Sequence, residues 1–364
     1  MFDTRYSRQM LLPEMGAAKQ QKLAQARVLV AGAGGLGCPV IQYLAAAGVG
    51  HIGIADADTV ELTNLNRQTL YTPAQVGVSK ARLAVQWVQA FNPHISCTAY
   101  ETALTQYNVP DILPNYHLLI DATDNFTARY LLNDAAVLLN KPLVYGAVYR
   151  FQGQIAVFNL PLPDGSFSAN YRHLYPTPPH QTPNCADAGV LGIVPGIIGA
   201  LQANEALKII TGIGQPLFNK VCYYNALLHQ TYTVAIQPHN RFSNAAPKTM
   251  QELQNFNYVQ FCQNTTPQTI HNITPKQFTQ HLNRPKTLII DVRNPHEEPH
   301  LTHFKHIRVP LSQLPHSLPS LDNYNTVITF CQTGERSHMA AQIISQTFPE
   351  ITVYSLAGGI SGIL

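Results

Sequence analysis

Three glycines and a carboxylate mark the first place where chemistry is expected. Gly32, Gly34 and Gly37 stand as GAGGLG between an apolar run, RVLVAGAG (27–34), and a helix-like stretch that begins near Leu36. Lacking Cβ atoms, such a loop lets backbone N–H groups approach a phosphate, and the N-terminus of the next helix favours its charge. Asp56 closes the following apolar run, HIGIADAD (51–58), where a carboxylate binds ribose hydroxyls. On its own this pattern fits any nucleotide-binding α/β domain, nicotinamide and flavin oxidoreductases included. Asn64, Arg67 and Gln68 follow in DADTVELTNLNRQTL, and Lys80 begins the next helical run. Two cations beside a nucleotide suit a triphosphate better than a pyrophosphate already held by the loop. The alternative for each is surface solubility. Thr123-Asp124-Asn125, at the end of HLLIDATD, offers Asp124 either to Mg2+ or as the cap of the next helix.

A second cluster surrounds Cys331. CQTGERS (331–337) joins an apolar run, TVITFC, to a helical stretch. Backbone N–H groups, a helix N-terminus and Arg336 would together stabilise a thiolate there. Four residues separate Cys331 from Arg336, one fewer than in the comparable phosphatase cradle. A third candidate, Cys185, lies in the proline-rich, aperiodic run 166–189, of a length that marks functional or mobile segments. Its reading stays open between a reactive thiol and a small buried apolar residue. His296, His300, His303 and His306 could ligate a metal, but Pro299 interrupts them and the spacing fits no single helical face. A solvated loop is expected.

Alternating strands and helices must carry these residues. Strands are expected at 27–34, 51–58, 117–124 and 142–148, and helices at 36–47, 80–91 and 126–139. Near-continuous apolar strands alternating with helices mean a parallel sheet covered on both faces. Residues 154–160 and the runs near Val221 and Val234 read as antiparallel additions, and 192–210 as an apolar helix. An amide-rich stretch, 238–272, reads as a linker between a domain at 1–237 and another at 273–364. In the latter, a helix at 274–282 capped by Thr274, strands at 287–293, 326–331 and 351–356, and a helix at 335–346 make a second α/β unit.

Composition removes several classes. Of 364 residues only 12% are charged, against roughly 25% in an average soluble domain. The 24 Asn and 28 Gln fill that gap, and the net charge of +3 announces no nucleic-acid partner. No run of 18 apolar residues predicts a membrane span, and the N-terminus lacks an apolar signal core, so a cytoplasmic protein is expected. Six cysteines without a CxxC pair make neither a disulfide framework nor a cysteine-built zinc site.

RYSRQMLL, GAGGLGC, DADTVELTNLNRQTLY, VGVSKA, DATDNFTARYLLN and NCADAGVLG, in this order over residues 1–236, resemble the ubiquitin-activating-like adenylyltransferases, most of all those acting on molybdopterin-synthase and thiazole sulfur carriers. CQTGERS, IIDVRNPHE and LAGGI resemble a rhodanese domain. The fold implied is a Rossmann-like doubly wound sheet extended by antiparallel strands, followed by a small α/β rhodanese domain. The resemblance implies ATP-dependent adenylation of the C-terminal glycine of a ubiquitin-like carrier ending in Gly-Gly, with Mg2+. It also implies sulfur transfer from a Cys331 persulfide, loaded by an upstream donor, to form a thiocarboxylate. It places Gly34 and Gly35 against the nucleotide, Asp56 on the ribose, and Asn64, Arg67, Gln68, Lys80 and Asn125 around the phosphates. Asp124 binds Mg2+ in that scheme. Arg8 matches an arginine that reaches the partner subunit's ATP, which implies a homodimer, and Cys185 matches a sulfur-handling position. Relatives commonly carry two zinc-binding CxxC pairs. Here Asn170-Tyr-Arg-His173 and 238–243 stand in their places, so no structural zinc is expected. The other readings kept open are a different carrier or a peptide C-terminus as substrate, a Rossmann oxidoreductase, and a non-catalytic scaffold.

Overall fold

The computed structural model describes residues 4–178, 189–238, 245–263, 270–282, 284–314, 318–348 and 350–362. Cys185 lies outside them, as does most of 238–243. The chain divides into two units, residues 1–265 and 266–364.

The first unit is built on strands β1 (Arg27–Ala31), β2 (His51–Ala55), β3 (Ser96–Tyr100), β4 (Leu118–Asp121), β5 (Leu143–Tyr149), β6 (Gln152–Phe158), β7 (Lys220–Asn225) and β8 (Gln230–Ala235). They form one sheet in the order β3-β2-β1-β4-β5-β6-β7-β8. From β3 to β5 all neighbours are parallel, and from β5 to β8 all are antiparallel. Val28, Val30, Ile52, Ile54, Leu118 and Ile120 meet Val40, Ile41, Leu44, Val194 and Ile198 in the core. The chain leaves β1 toward β2 on one side and β4 adjoins β1 on the other. The crevice at the carboxyl ends of β1 and β4 is therefore the switch point where such sheets bind ligands. The strand β3 was not expected. It is an edge strand whose sequence, SCTAY, is only half-buried and carries no apolar run.

The helix Ile193–Thr211 is long and apolar enough to cross a membrane by composition. Here it packs on β5, β6 and the helix Gly37–Ala47. Within it Gln202 bonds the Asp121 carbonyl at 2.7 Å and Glu205 accepts the Leu217 N–H at 2.8 Å, so it serves as a core helix.

The expected linker contains structure. Helices Met250–Asn255 and Tyr258–Gln263 pack on the helix Phe126–Leu138. The Asp134 carboxylate accepts bonds of 2.7 and 2.6 Å from Arg172 and one of 3.0 Å from the Tyr258 hydroxyl. The Arg172 guanidinium also lies 4.8 Å from the Phe261 ring centre. The first unit therefore extends past residue 237. Amide-rich composition hid these helices because their burial rests on Tyr258, Phe261 and Leu253 rather than on an apolar period.

The second unit holds β9 (His271–Ile273), β10 (Thr287–Asp291), β11 (Ile307–Arg308), β12 (Thr326–Phe330) and β13 (Thr352–Leu356). All pairs are parallel, in the order β11-β10-β12-β13-β9. Helices Pro275–His281 and Glu335–Thr347 accompany them, the first capped by Thr274, whose hydroxyl accepts the Gln277 N–H at 3.3 Å. Ile289, Ile328, Phe330, Phe278 and Leu356 make its core.

Candidate functional site

The glycine loop sits at the switch point, and Gly32 and Gly37 are sterically required there, a Cβ at Gly37 falling 2.0 Å from the Gly32 carbonyl oxygen. Gly32 has φ +98°, and a Cβ there would lie 2.6 Å from the Ala122 carbonyl oxygen after β4. The loop is fixed from below as well: the Tyr71 hydroxyl donates to the Ala33 carbonyl at 2.8 Å. Asp56 accepts the Ala33 N–H at 2.7 Å and the Asp58 N–H at 2.8 Å. Each carboxylate oxygen keeps a lone pair for a further donor such as a ribose hydroxyl. Burial pushes the Asp56 carboxyl up, against the pull of these amide donors.

Several expected nucleotide contacts converge. A Cβ at Gly34 would lie 3.5 Å from Gln68 Nε2, and one at Gly35 would lie 3.4 Å from Arg67 Cγ. Gln68 is buried and its Oε1 has no hydrogen-bond partner. Such an orphaned acceptor beside an open glycine loop is what a missing donor would satisfy. Arg67 donates to the Thr63 carbonyl and Asn66 Oδ1, both at 3.0 Å, and makes no ion pair among the described residues. Its charge thus stays uncompensated beside the loop. Asn64 is buried and its Oδ1 accepts the Glu61 N–H at 3.3 Å, which folds the turn that presents Arg67 and Gln68. Lys80 differs from expectation. Its Nζ, almost fully buried, pairs with the exposed Asp58 at 2.9 Å. A phosphate would have to compete with that carboxylate.

At the end of β4, Asn125 rather than Asp124 caps the helix Phe126–Leu138, its Oδ1 accepting the Ala128 N–H at 2.9 Å. Asp124 is exposed, and its carboxylate accepts a long 3.4 Å bond from Asn125 Nδ2. A hard oxygen ligand facing solvent next to the glycine loop fits Mg2+ carried by a triphosphate. Asp121 and Arg129, both buried beneath this loop, are not among the residues that the sequence pattern singles out. Both stand in DATDNFTARY, Asp121 as a charge ending an apolar strand and Arg129 as a charge on an otherwise buried helix face, and those are the signals that could have found them.

Arg8 is not brought to this site. Tyr6 is buried with its hydroxyl accepting from Asn92 at 2.7 Å, and Gln9 donates to the Ala47 carbonyl at 3.0 Å. Both tie the N-terminal segment to the far end of the helix Gly37–Ala47. At about 1.5 Å per residue, that end lies about 15 Å from the glycine loop. Arg8 itself is exposed and makes no ion pair among the described residues.

In the second unit, Cys331 has no exposed surface, and its Sγ accepts N–H bonds from Gly334 at 3.1 Å and Ser337 at 3.4 Å. The amide cradle is thus present. Arg336, expected to face the sulfur, instead grips Glu297 with two bonds of 2.5 and 2.6 Å. Hydrogen bonds from Arg336 hold the Glu297 carboxyl below its usual range. The neutral neighbour is Ser337, whose hydroxyl lies 3.6 Å from the sulfur. The GGI turn closes the loop. A Cβ at Gly359, at φ +61°, would lie 2.4 Å from the Cys331 carbonyl, which accepts the Ile360 N–H at 2.8 Å.

Two histidines of the expected loop find other partners. His306 Nδ1 lies 3.1 Å from the Phe304 carbonyl, and His300 lies 3.4 Å from Arg308. Among the described residues no three His, Cys, Asp or Glu side chains gather as a metal group. His173 accepts the Asn170 N–H at 2.9 Å as part of a capping box.

Known proteins resemble the chain over these same parts. The ThiF family profile matches residues 6–245, and the rhodanese-like domain profile matches 274–364. A sulfur carrier protein adenylyltransferase of Thermus thermophilus is 52% identical over 225 residues, covering 61% of this chain and 83% of that one. MoeZ of Mycobacterium tuberculosis is 40% identical over 366 residues, 98% of this chain and 91% of that one. The adenylyltransferase and sulfurtransferase MOCS3 of Drosophila grimshawi is 37% identical, at 98% and 82% coverage. Escherichia coli MccB, solved with ATP, shares the fold with a TM-score of 0.56 and 21% identity, over 66% of this chain and 73% of that one. The chain belongs to the ThiF family, in the branch that joins an adenylyltransferase domain to a C-terminal rhodanese-like domain.

Proposed function

We propose that this enzyme adenylates the C-terminal glycine of a ubiquitin-like sulfur carrier and then supports its conversion to a thiocarboxylate. The observation that carries the reading is the crevice at the ends of β1 and β4, where the glycine loop, the uncompensated Arg67, the orphaned Gln68 Oε1 and the exposed Asp124 converge. In the reaction, a carrier carboxylate oxygen attacks the α-phosphorus of ATP, the bond to the bridging oxygen breaks, and pyrophosphate leaves. Charge builds on the equatorial and leaving oxygens, so catalysis is positioning plus electrostatic stabilisation. Asp56 binds the ribose, and Arg67 with Lys80 takes the phosphates once Lys80 turns from Asp58. Asp124 holds Mg2+, which supplies charge neutralisation on the triphosphate when bound. The position of Arg8 supports action in trans, and hence a homodimer. His173, occupied as a cap acceptor, supports a domain without structural zinc.

Sulfur then comes from a persulfide on Cys331, loaded by an upstream donor and stabilised by the Gly334 and Ser337 amides. Its outer sulfur attacks the acyl carbon, AMP leaves, and an acyl disulfide forms. A second thiol, for which Cys185 is the candidate, attacks the Cys331 sulfur, so that the thiocarboxylate leaves and a disulfide between the two cysteines forms, which an external thiol reductant reopens before the next turnover. The test of the first step is ATP–pyrophosphate exchange with a ubiquitin-like carrier ending in Gly-Gly. Exchange that needs the carrier and disappears in Asp124→Ala supports the reading. Exchange at the wild-type rate in that variant overturns it.

A further inference from the structure

The loop that presents Asp124 is gripped by two buried charges for which the reaction above has no use. Asp121, the last residue of β4, is 1% exposed, and its carboxylate accepts the Thr123 N–H at 2.9 Å and the Thr123 hydroxyl at 2.6 Å. Arg129 is 7% exposed and reaches back from the first turns of the helix Phe126–Leu138. It donates to the Thr123 carbonyl at 3.3 Å. All three polar atoms of Thr123 are thereby taken, one pair by a carboxylate and the third by a guanidinium. The rings of Phe126 and Tyr145, with centres 5.4 and 5.7 Å from the Arg129 guanidinium carbon, fix that group in place. Gln202 completes the hold by donating to the Asp121 carbonyl at 2.7 Å. Ala122, between the two held residues, is the one whose carbonyl meets Gly32 of the phosphate loop.

Burying a carboxylate and a guanidinium costs several kcal/mol per ion before any partner is counted, and apolar residues would stabilise the sheet end as well. The pair makes no direct ion pair among the described residues. They attract each other through space, but their hydrogen bonds go to Thr123: Asp121 accepts its N–H and hydroxyl, and Arg129 takes its carbonyl. That arrangement does little for cohesion that packing could not do, and much for the exact path of the backbone entering Asp124. A carboxylate on a loop must otherwise be ordered when its ligand arrives, and that ordering subtracts from binding.

We propose that Asp121 and Arg129 are positioning residues that clamp Thr123 from opposite sides, so that Asp124 is already in place when the metal–triphosphate enters. This rests on the reading above, in which Asp124 is the Mg2+ ligand. Neither residue touches the reacting atoms. Their loss makes the loop more mobile and raises the Mg2+ concentration needed, while the chemistry stays recoverable at high Mg2+.

The test compares the full chain with Arg129→Gln, Arg129→Lys and Thr123→Val. Hydrogen–deuterium exchange over 122–125 in nucleotide-free protein should be about tenfold faster in Arg129→Gln and Thr123→Val, the change expected for losing one charge-assisted hydrogen bond. Arg129→Lys should recover part of the protection. The Mg2+ concentration for half-maximal carrier-dependent pyrophosphate exchange should rise several-fold in the first two variants, with the deficit closed by excess Mg2+. Unchanged amide exchange in folded variants overturns the clamp. So does a rate deficit that Mg2+ does not close, which would put Arg129 at the reacting atoms. If Arg129→Gln fails to fold, Thr123→Val decides by the same two readouts. A wild-type chain without any pyrophosphate exchange would strike the adenylation reading instead, and the amide measurement would still decide the clamp.

Discussion

Replacing Asp291 by Asn should unfold the rhodanese-like unit far more readily than its single lost charge implies. Asp291 and Arg293 have no exposed surface, and the Arg308 side chain is 21% exposed. The Asp291 carboxylate accepts bonds from Arg293 at 3.0 and 2.8 Å and from Arg308 at 3.1 and 2.9 Å. Removing the one anion leaves two guanidinium groups facing each other, one of them buried. Breaking a buried pair in this way costs about 3–5 kcal/mol. A unit of the size of residues 266–364, at about 0.05–0.15 kcal/mol per residue, holds about 5–15 kcal/mol in all. The variant should therefore melt at least about 12 °C lower in that unit by calorimetry. Trp87, the sole tryptophan, lies in the first unit, so its fluorescence identifies the other transition. The effect has a pH signature. Burial pushes the Asp291 carboxyl up, but the hydrogen bonds and charges of Arg293 and Arg308 outweigh it and hold it below its usual value. Its stabilisation is complete above the unfolded value of about 3.9 and is lost as pH falls through the folded one. The wild-type unit should weaken below about pH 4, and the Asn variant should lack that part of the decline. A variant melting within about 3 °C of wild type at pH 7 would refute the argument, because it would mean that the buried charges are not mutually dependent. Arg293 also lies 3.5 Å from Gln332 beside Cys331, so sulfurtransferase activity should fall with the stability.

Two further outcomes concern the active centres. Cys331→Ser should abolish thiosulfate:cyanide sulfurtransferase activity and leave pyrophosphate exchange intact, whereas Cys185→Ser should leave exchange intact and slow thiocarboxylate release; mass spectrometry that finds the added sulfur on the Cys185 peptide alone would contradict this division. Mixing Arg8→Ala with Lys80→Ala chains should restore exchange toward one good site per mixed dimer, and a strict monomer by light scattering at micromolar concentration would exclude the composite site.

What was legible in the sequence is what local pattern dictates. The apolar runs at Val28–Ala31, Ile52–Ala55 and Leu118–Asp121 announced parallel strands because both their faces are buried. Glycines at 32 and 37 announce the loop because a side chain there would strike backbone, whereas Gly34 leaves open the space beside Gln68. Partner choice was not legible. Whether Lys80 meets a phosphate or Asp58, and whether Arg336 meets a sulfur or Glu297, depends on residues 22 and 39 positions away. Asp124 was read as a candidate cap, yet Asn125 takes that place because its side chain reaches the Ala128 N–H. Short elements also escaped. His271–Ile273 is a three-residue strand, too brief to show a period.

The measurement closest to the central claim is the intact mass of a Gly-Gly-ended ubiquitin-like carrier after incubation with this enzyme, Mg2+, ATP and a persulfide donor. The account predicts that the carrier gains the mass of one oxygen-to-sulfur exchange, that the gain requires ATP, and that it is absent with Asp124→Ala and with Cys331→Ser. A carrier whose mass never changes, while the enzyme is folded and binds ATP, would contradict it.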